Sequence, residues 1–268
     1  MAETSESPWK SRWEAFLKAL GYYLAYRLIY WGTGEVLVTA VRAQRTAGLL
    51  EGVSVAVLNR LISLGIHAVF AVVLVLWFTL RQRPLLPSLG LMSMRRRLIP
   101  LCILCGSGAT VTVGWLWNVI PFPAAWEEAY SEKAGTLFED YGIWTFVLTV
   151  IVAPLMEEIV FRGLLFKRLR AGMSFSAAAL LSALAFGVAH ASLLWMLYAF
   201  LLGFLLAWLT ERTGSLWASV LCHFGFNLLG QFSIGALPLP MYIVTCAVGT
   251  VLLGLTLWDI LQATKQHK

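Results

Sequence analysis

The stretch Glu157-Glu158-Ile159-Val160-Phe161-Arg162 places two acids and a guanidinium inside an apolar run that begins near Tyr141 and continues past Leu165. An ionised side chain at bilayer depth costs roughly 2.5–3.5 kcal/mol on insertion scales, so such groups face one another or a wet cavity, and function is the default reading. Glu158 and Arg162 stand four apart, share a helical face and can pair. Glu157 is turned about 100° from Glu158 on a 3.6-residue helix. One carboxylate is thereby neutralised from within, and the other is left for proton chemistry. Two further pairs have helical spacing, Phe186 with His190 and His223 with Asn227. The second pair aims hydrogen-bonding groups at a common point, or else serves as polar glue between helices. Arg27 and Glu35, eight apart, read as structural partners of each other or of neighbouring helices, and His67 reads as a packing residue.

The elements that must position these groups are membrane helices. The chain of 268 residues is 59% hydrophobic and only 13% charged, with mean hydropathy +0.77. A soluble domain carries about 25% charged residues. Apolar runs near 21–41, 60–80, 98–120, 142–166, 174–191, 193–210, 215–233 and 239–261 approach the ~20 residues of a spanning helix. The expected fold is all-α and polytopic, with about eight transmembrane helices. Residues 8–20 carry Trp9, Trp13, Phe16 and Leu17 at helical spacing among Lys10, Arg12 and Lys18, an interfacial amphipathic helix. Ser7 can cap it and Pro8 suits its first turn. Residues 1–20 then form a tail and interfacial helix, and 21–268 one transmembrane domain with no internal repeat or linker. Met1–Lys10 lacks the apolar core of a signal peptide.

The net charge of +6 reads as topology rather than nucleic-acid binding, because Lys and Arg sit in short loops beside apolar runs. With the N-terminus inside, 14 basic residues fall on the cytoplasmic side and 4 opposite, which puts both termini in the cytoplasm. The acidic loop with Glu127, Glu128, Glu132, Glu139 and Asp140 falls outside. Pro84 and Pro87 argue against continuous helix between Arg81 and Arg97. Four cysteines in apolar surroundings imply no disulfide framework, and Cys102-Ile103-Leu104-Cys105 lacks the second pair of a zinc site.

The midpoint of Glu157 and His190 falls within Gly172-Met173-Ser174, so a hairpin turning there brings the two residues to equal depth. His223 lies only eight residues past Ser215, against about sixteen for His190 past its turn. Straight helices would leave the two histidines at different depths, so one helix must be longer, tilted or broken.

Glu157-Glu158-x-x-x-Arg162, Phe186-x-x-x-His190 and His223-x-x-x-Asn227 together resemble the three motifs of the CAAX-protease and bacteriocin-processing (Abi) family of intramembrane endopeptidases, which includes the type II CAAX prenyl endopeptidases. The likeness covers a core of about 142–230. It implies that Glu157 and His190 polarise a water, that His223 and Asn227 stabilise the oxyanion, and that Glu158 and Arg162, with Phe186, support the site. No cofactor is expected on this mechanism. Glu157, His190 and His223 could alternatively supply an open zinc site, although His-Glu-x-x-His is absent. The substrate class implied is a membrane-associated protein or peptide precursor, prenylated or not. The rival reading is a non-enzymatic transporter, or a scaffold or immunity protein of the same fold. The compact length leans to a prokaryotic plasma membrane over the endoplasmic reticulum. The expected cavity is bounded by the fourth, fifth and seventh spans and opens toward the cytoplasmic face.

Overall fold

The computed structural model describes residues 8–138, 142–190, 192–232 and 237–265, and among these every regular element is helical. The order is α1 (Pro8–Thr46), α2 (Val55–Leu80), α3 (Leu85–Leu89), α4 (Leu98–Val119), α5 (Ala124–Phe138), α6 (Ile143–Arg170), α7 (Phe175–Val188), α8 (Leu193–Thr213), α9 (Leu216–Gly230) and α10 (Leu239–Lys265). Side-chain oxygens of Ser54, Ser174, Ser192 and Ser215 cap α2, α7, α8 and α9, which fixes where each apolar run turns helical. Among the described residues, each of the eight expected apolar runs is largely helical. Five helices (α2, α4, α6, α8 and α10) are long and apolar enough to cross a membrane. The protein is an all-α polytopic membrane protein.

The interfacial helix expected over 8–20 is not a separate element, because α1 runs through residue 20 without a break. Gly21 alone costs only about 1 kcal/mol in a helix. Tyr23 and Tyr26 then pack their rings 6.1 Å and 6.3 Å from Phe161 of α6. The expected cap Ser7 lies outside the described residues, as do Glu139, Asp140 and Lys268.

The α7 and α9 helices have 14 and 15 residues, about 21–22 Å at helical rise, short of the ~30 Å hydrocarbon core. The turn between α6 and α7 occupies the expected Gly172 region, packed against Ser11 and Ala15 of α1. The depth mismatch between the two histidines is resolved by α3, which the prolines disguised as loop. Leu89 is buried, and a Cβ added to Gly163 would stand 3.1 Å from its carbonyl oxygen. Gly163 lies seven residues from the end of α6, so α3 reaches about 10 Å into the bundle. The Leu216 N–H then donates to the Gly90 carbonyl oxygen, and the Ser215 hydroxyl to that of Met92. The first turn of α9 is therefore seated on α3, deeper than the start of α7.

One end of the bundle is tied together by basic side chains. Arg95 and Arg97 donate to the Ala263 carbonyl, Lys167 to those of Pro87 and Ser88, and Arg170 pairs with Glu211 at 2.9 Å. The opposite end is aromatic. Trp117 at the end of α4 meets Tyr130 of α5 at 4.8 Å, and Tyr130 meets Trp195 at 6.2 Å.

Candidate active site

The α6 helix changes pitch twice, with π-helical turns over Val147–Val152 and Ile159–Phe166 flanking the two glutamates. Such widened turns recur at functional sites because they re-aim side chains and free carbonyls from the α ladder. Glu158 and Arg162 form the expected ion pair, 2.8 Å from Oε1 to Nη1, and both are fully buried. The second guanidinium nitrogen donates to the Gly203 carbonyl of α8 at 2.9 Å. Gly203 permits this approach, since a Cβ there would stand 3.1 Å from Arg162 Nη2. Phe186 lies under the same guanidinium, 4.5 Å from Cζ to ring centre, a cation–π contact.

Phe186 also organises the imidazoles. Its ring is 4.9 Å from His190 and 5.7 Å from His223, nearly perpendicular to both. His190 follows the end of α7 by two residues and keeps a helix-like contact, with Nδ1 2.8 Å from the Phe186 carbonyl oxygen. A carbonyl only accepts, so Nδ1 carries the proton and Nε2 is left for another partner. His223 Nδ1 lies 3.0 Å from Glu158 Oε1, and its Nε2 lies 3.7 Å from Glu157 Oε2. The imidazole is therefore bracketed by both acids. Asn227 Nδ2 donates to the Thr149 carbonyl in the first π-turn at 2.8 Å, which holds the amide in place and leaves a second N–H.

Glu157 keeps 26% of its side chain exposed, whereas Glu158 keeps none. It opens onto a cavity of about 580 Å³ that His190, His223, Asn227 and Phe186 also line. Every expected catalytic residue thus borders one hollow, of the size usual for ligand sites. The walls extend beyond the three expected spans to α1, α2, α4, α5, α8 and α10. The hollow occupies the aromatic half of the bundle, reaching Asn118, Tyr130, Trp195, Gln231 and Tyr242. The expected opening toward the basic, cytoplasmic-type loops is corrected by this lining, because α3 and the first turn of α9 fill that end.

Arg27 and Glu35 form no ion pair with each other among the described residues, and Arg27 instead lines the cavity beside Tyr26 and Tyr30. His67 lines it too, with Nδ1 2.6 Å from the Ser63 carbonyl oxygen. Both residues were visible as unexplained polar groups at depth. Tyr198, Trp195 and Trp117, also on the wall, carry no signal distinct from interfacial aromatics. Among the described residues, no three His, Cys, Asp or Glu side chains are grouped as ligands for one metal ion.

The family model for type II CAAX prenyl endopeptidase, Rce1-like, matches residues 139–229, the stretch that holds all seven motif residues. A Bacillus subtilis (strain 168) protein named "Putative membrane peptidase YdiL" is 36% identical over 81 residues, 30% of this chain and 33% of that protein. Over this motif-bearing core the chain is similar to the CAAX-protease and bacteriocin-processing family. The aligned stretch spans about a third of the length of the curated relative. No solved structure matches the chain. In this chain the three motifs meet through Phe186, whose ring touches Arg162, His190 and His223 at once.

Proposed function

We propose that the protein is an intramembrane endopeptidase that hydrolyses a peptide bond of a membrane-associated protein or peptide without a metal. The observation that carries this reading is the division of labour between adjacent glutamates: Glu158 is buried against Arg162, while Glu157 faces the cavity with both imidazoles. Carboxylates only accept, so both His223 nitrogens face acceptors, Glu158 Oε1 on one side and Glu157 Oε2 on the other. Glu157 and the free Nε2 of His190 polarise a water held in the cavity. The water oxygen attacks the peptide carbonyl as its proton passes to Glu157. The oxyanion is met by the His223 Nε2–H and the spare Asn227 N–H, donors positioned before the charge develops. Glu157 returns the proton to the departing amine, which leaves as the C–N bond breaks.

Detergent-purified protein should cleave a quenched membrane-peptide library, and Glu157→Gln should abolish that cleavage. A strong chelator should leave the rate unchanged. Loss of activity on chelation with recovery on adding zinc would replace this mechanism with a Glu157, His190 and His223 metal site.

A further inference from the structure

We infer that the cavity is served from the extracytoplasmic side of the membrane, so the substrate is a peptide segment that reaches the bilayer from outside the cytoplasm. This rests on the proteolytic reading for the word substrate, but the sidedness stands on its own observations. The two ends of the bundle differ sharply in charge. The start of α1, the end of α2, the α3–α4 connection and the ends of α6, α8 and α10 carry 13 Lys and Arg within the described residues. These elements are physically together: Arg95 and Arg97 reach α10, Lys167 reaches α3, and Arg170 reaches α8. The opposite end carries Arg42, Arg45, Arg60 and Lys133, and α5 there holds Glu127, Glu128 and Glu132. Short loops rich in Lys and Arg stay in the cytoplasm during insertion, and acids contribute little to that choice.

The cavity lies wholly toward the other end. Its rim is built from the end of α4 (Trp117, Asn118), from α5 (Tyr130) and from the end of α9 (Gly230, Gln231). No residue of α3, of the 90–97 connection or of the first turns of α7 and α9 borders it. That half is plugged instead, with Leu89, Leu98, Leu169, Leu209 and Leu216 all at 3% exposure or less. His190, two residues beyond the end of α7, faces the same rim. A peptide arriving from the basic side would have to cross this apolar plug, whereas one arriving from the α5 side meets an open lining.

Cysteine labelling in intact bacteria expressing the full chain reads the sidedness directly. The four native cysteines are buried and provide the blank. Ser131→Cys, on exposed α5, should react with a membrane-impermeant maleimide in intact cells. Ser93→Cys, in the exposed basic connection, should react only after permeabilisation. The reverse pattern would overturn the inference. A quenched peptide library on a lipid anchor, presented to right-side-out or inside-out vesicles, tests the substrate class. Cleavage confined to right-side-out vesicles and lost in Glu157→Gln supports it, and cleavage confined to inside-out vesicles overturns it. Labelling as expected with no cleavage in either vesicle overturns the proteolytic reading and leaves the cavity's sidedness standing.

Discussion

Glu158 Oε1 receives two charge-assisted hydrogen bonds, from Arg162 at 2.8 Å and His223 at 3.0 Å. Removing one partner of such a buried cluster leaves an uncompensated charge, typically at a cost of about 3–5 kcal/mol. Arg162→Leu should therefore lower stability by that order, read as a large drop in the detergent melting temperature. Glu157→Gln should leave the melt nearly unchanged, because Glu157 faces the cavity, while hydrolysis falls by at least about 10²-fold. Equal destabilisation by both variants would remove the distinction between supporting and reacting acid. The Glu158–Arg162 pair was legible because i,i+4 spacing is a local rule. The His223–Glu158 bond spans 65 positions, and Arg162 to Gly203 spans 41 to a backbone oxygen. Neither has a local spacing to betray it, and a carbonyl acceptor has no residue type at all.

At the scale of elements, α4 and α9 approach so closely that Gly106 and Gly225 cannot carry a side chain. A Cβ on Gly106 would collide with the Cys222 carbonyl, and one on Gly225 with that of Ile103. Gly225 sits midway between His223 and Asn227, so this contact sets the height of both. Gly225→Val should force the helices apart and cost several kcal/mol through overpacking, with loss of both folded yield and cleavage. Gly254→Ala, where no atom lies within 4 Å, should be neutral or slightly stabilising in the same melt. Hydropathy located the long apolar helices to within a few residues, since lipid demands apolar length. It missed α3 and α5, one interrupted by Pro87 and the other rich in acids. The π-turns of α6 were not legible either, because no local residue spacing marks a widened turn within an apolar run.

For the molecule as a whole, the cavity and the short α7 and α9 are one feature seen twice. Ala153 lines the hollow from α6, and Ala153→Phe should fill part of it. Cleavage should fall about tenfold or more, while the melt stays within about 1 kcal/mol of the parent. A melt that collapses instead would mean that the hollow is already packed. The asymmetry of basic residues was readable in sequence, but the direction of the cavity was not, because it depends on α3 lodging beneath α9. The short α7, which leads into His190, also has a mechanical effect on its surroundings. Lipid touching the exposed Leu180, Leu184 and Val188 of α7, a segment about 9 Å too short, must pucker beside it, at a fraction of a kcal/mol per Å of mismatch. On the proposed activity, a guest helix drifting into that dimple would lose its oily sleeve on one side, fray there, and offer Glu157 a stretched backbone in place of a sealed coil.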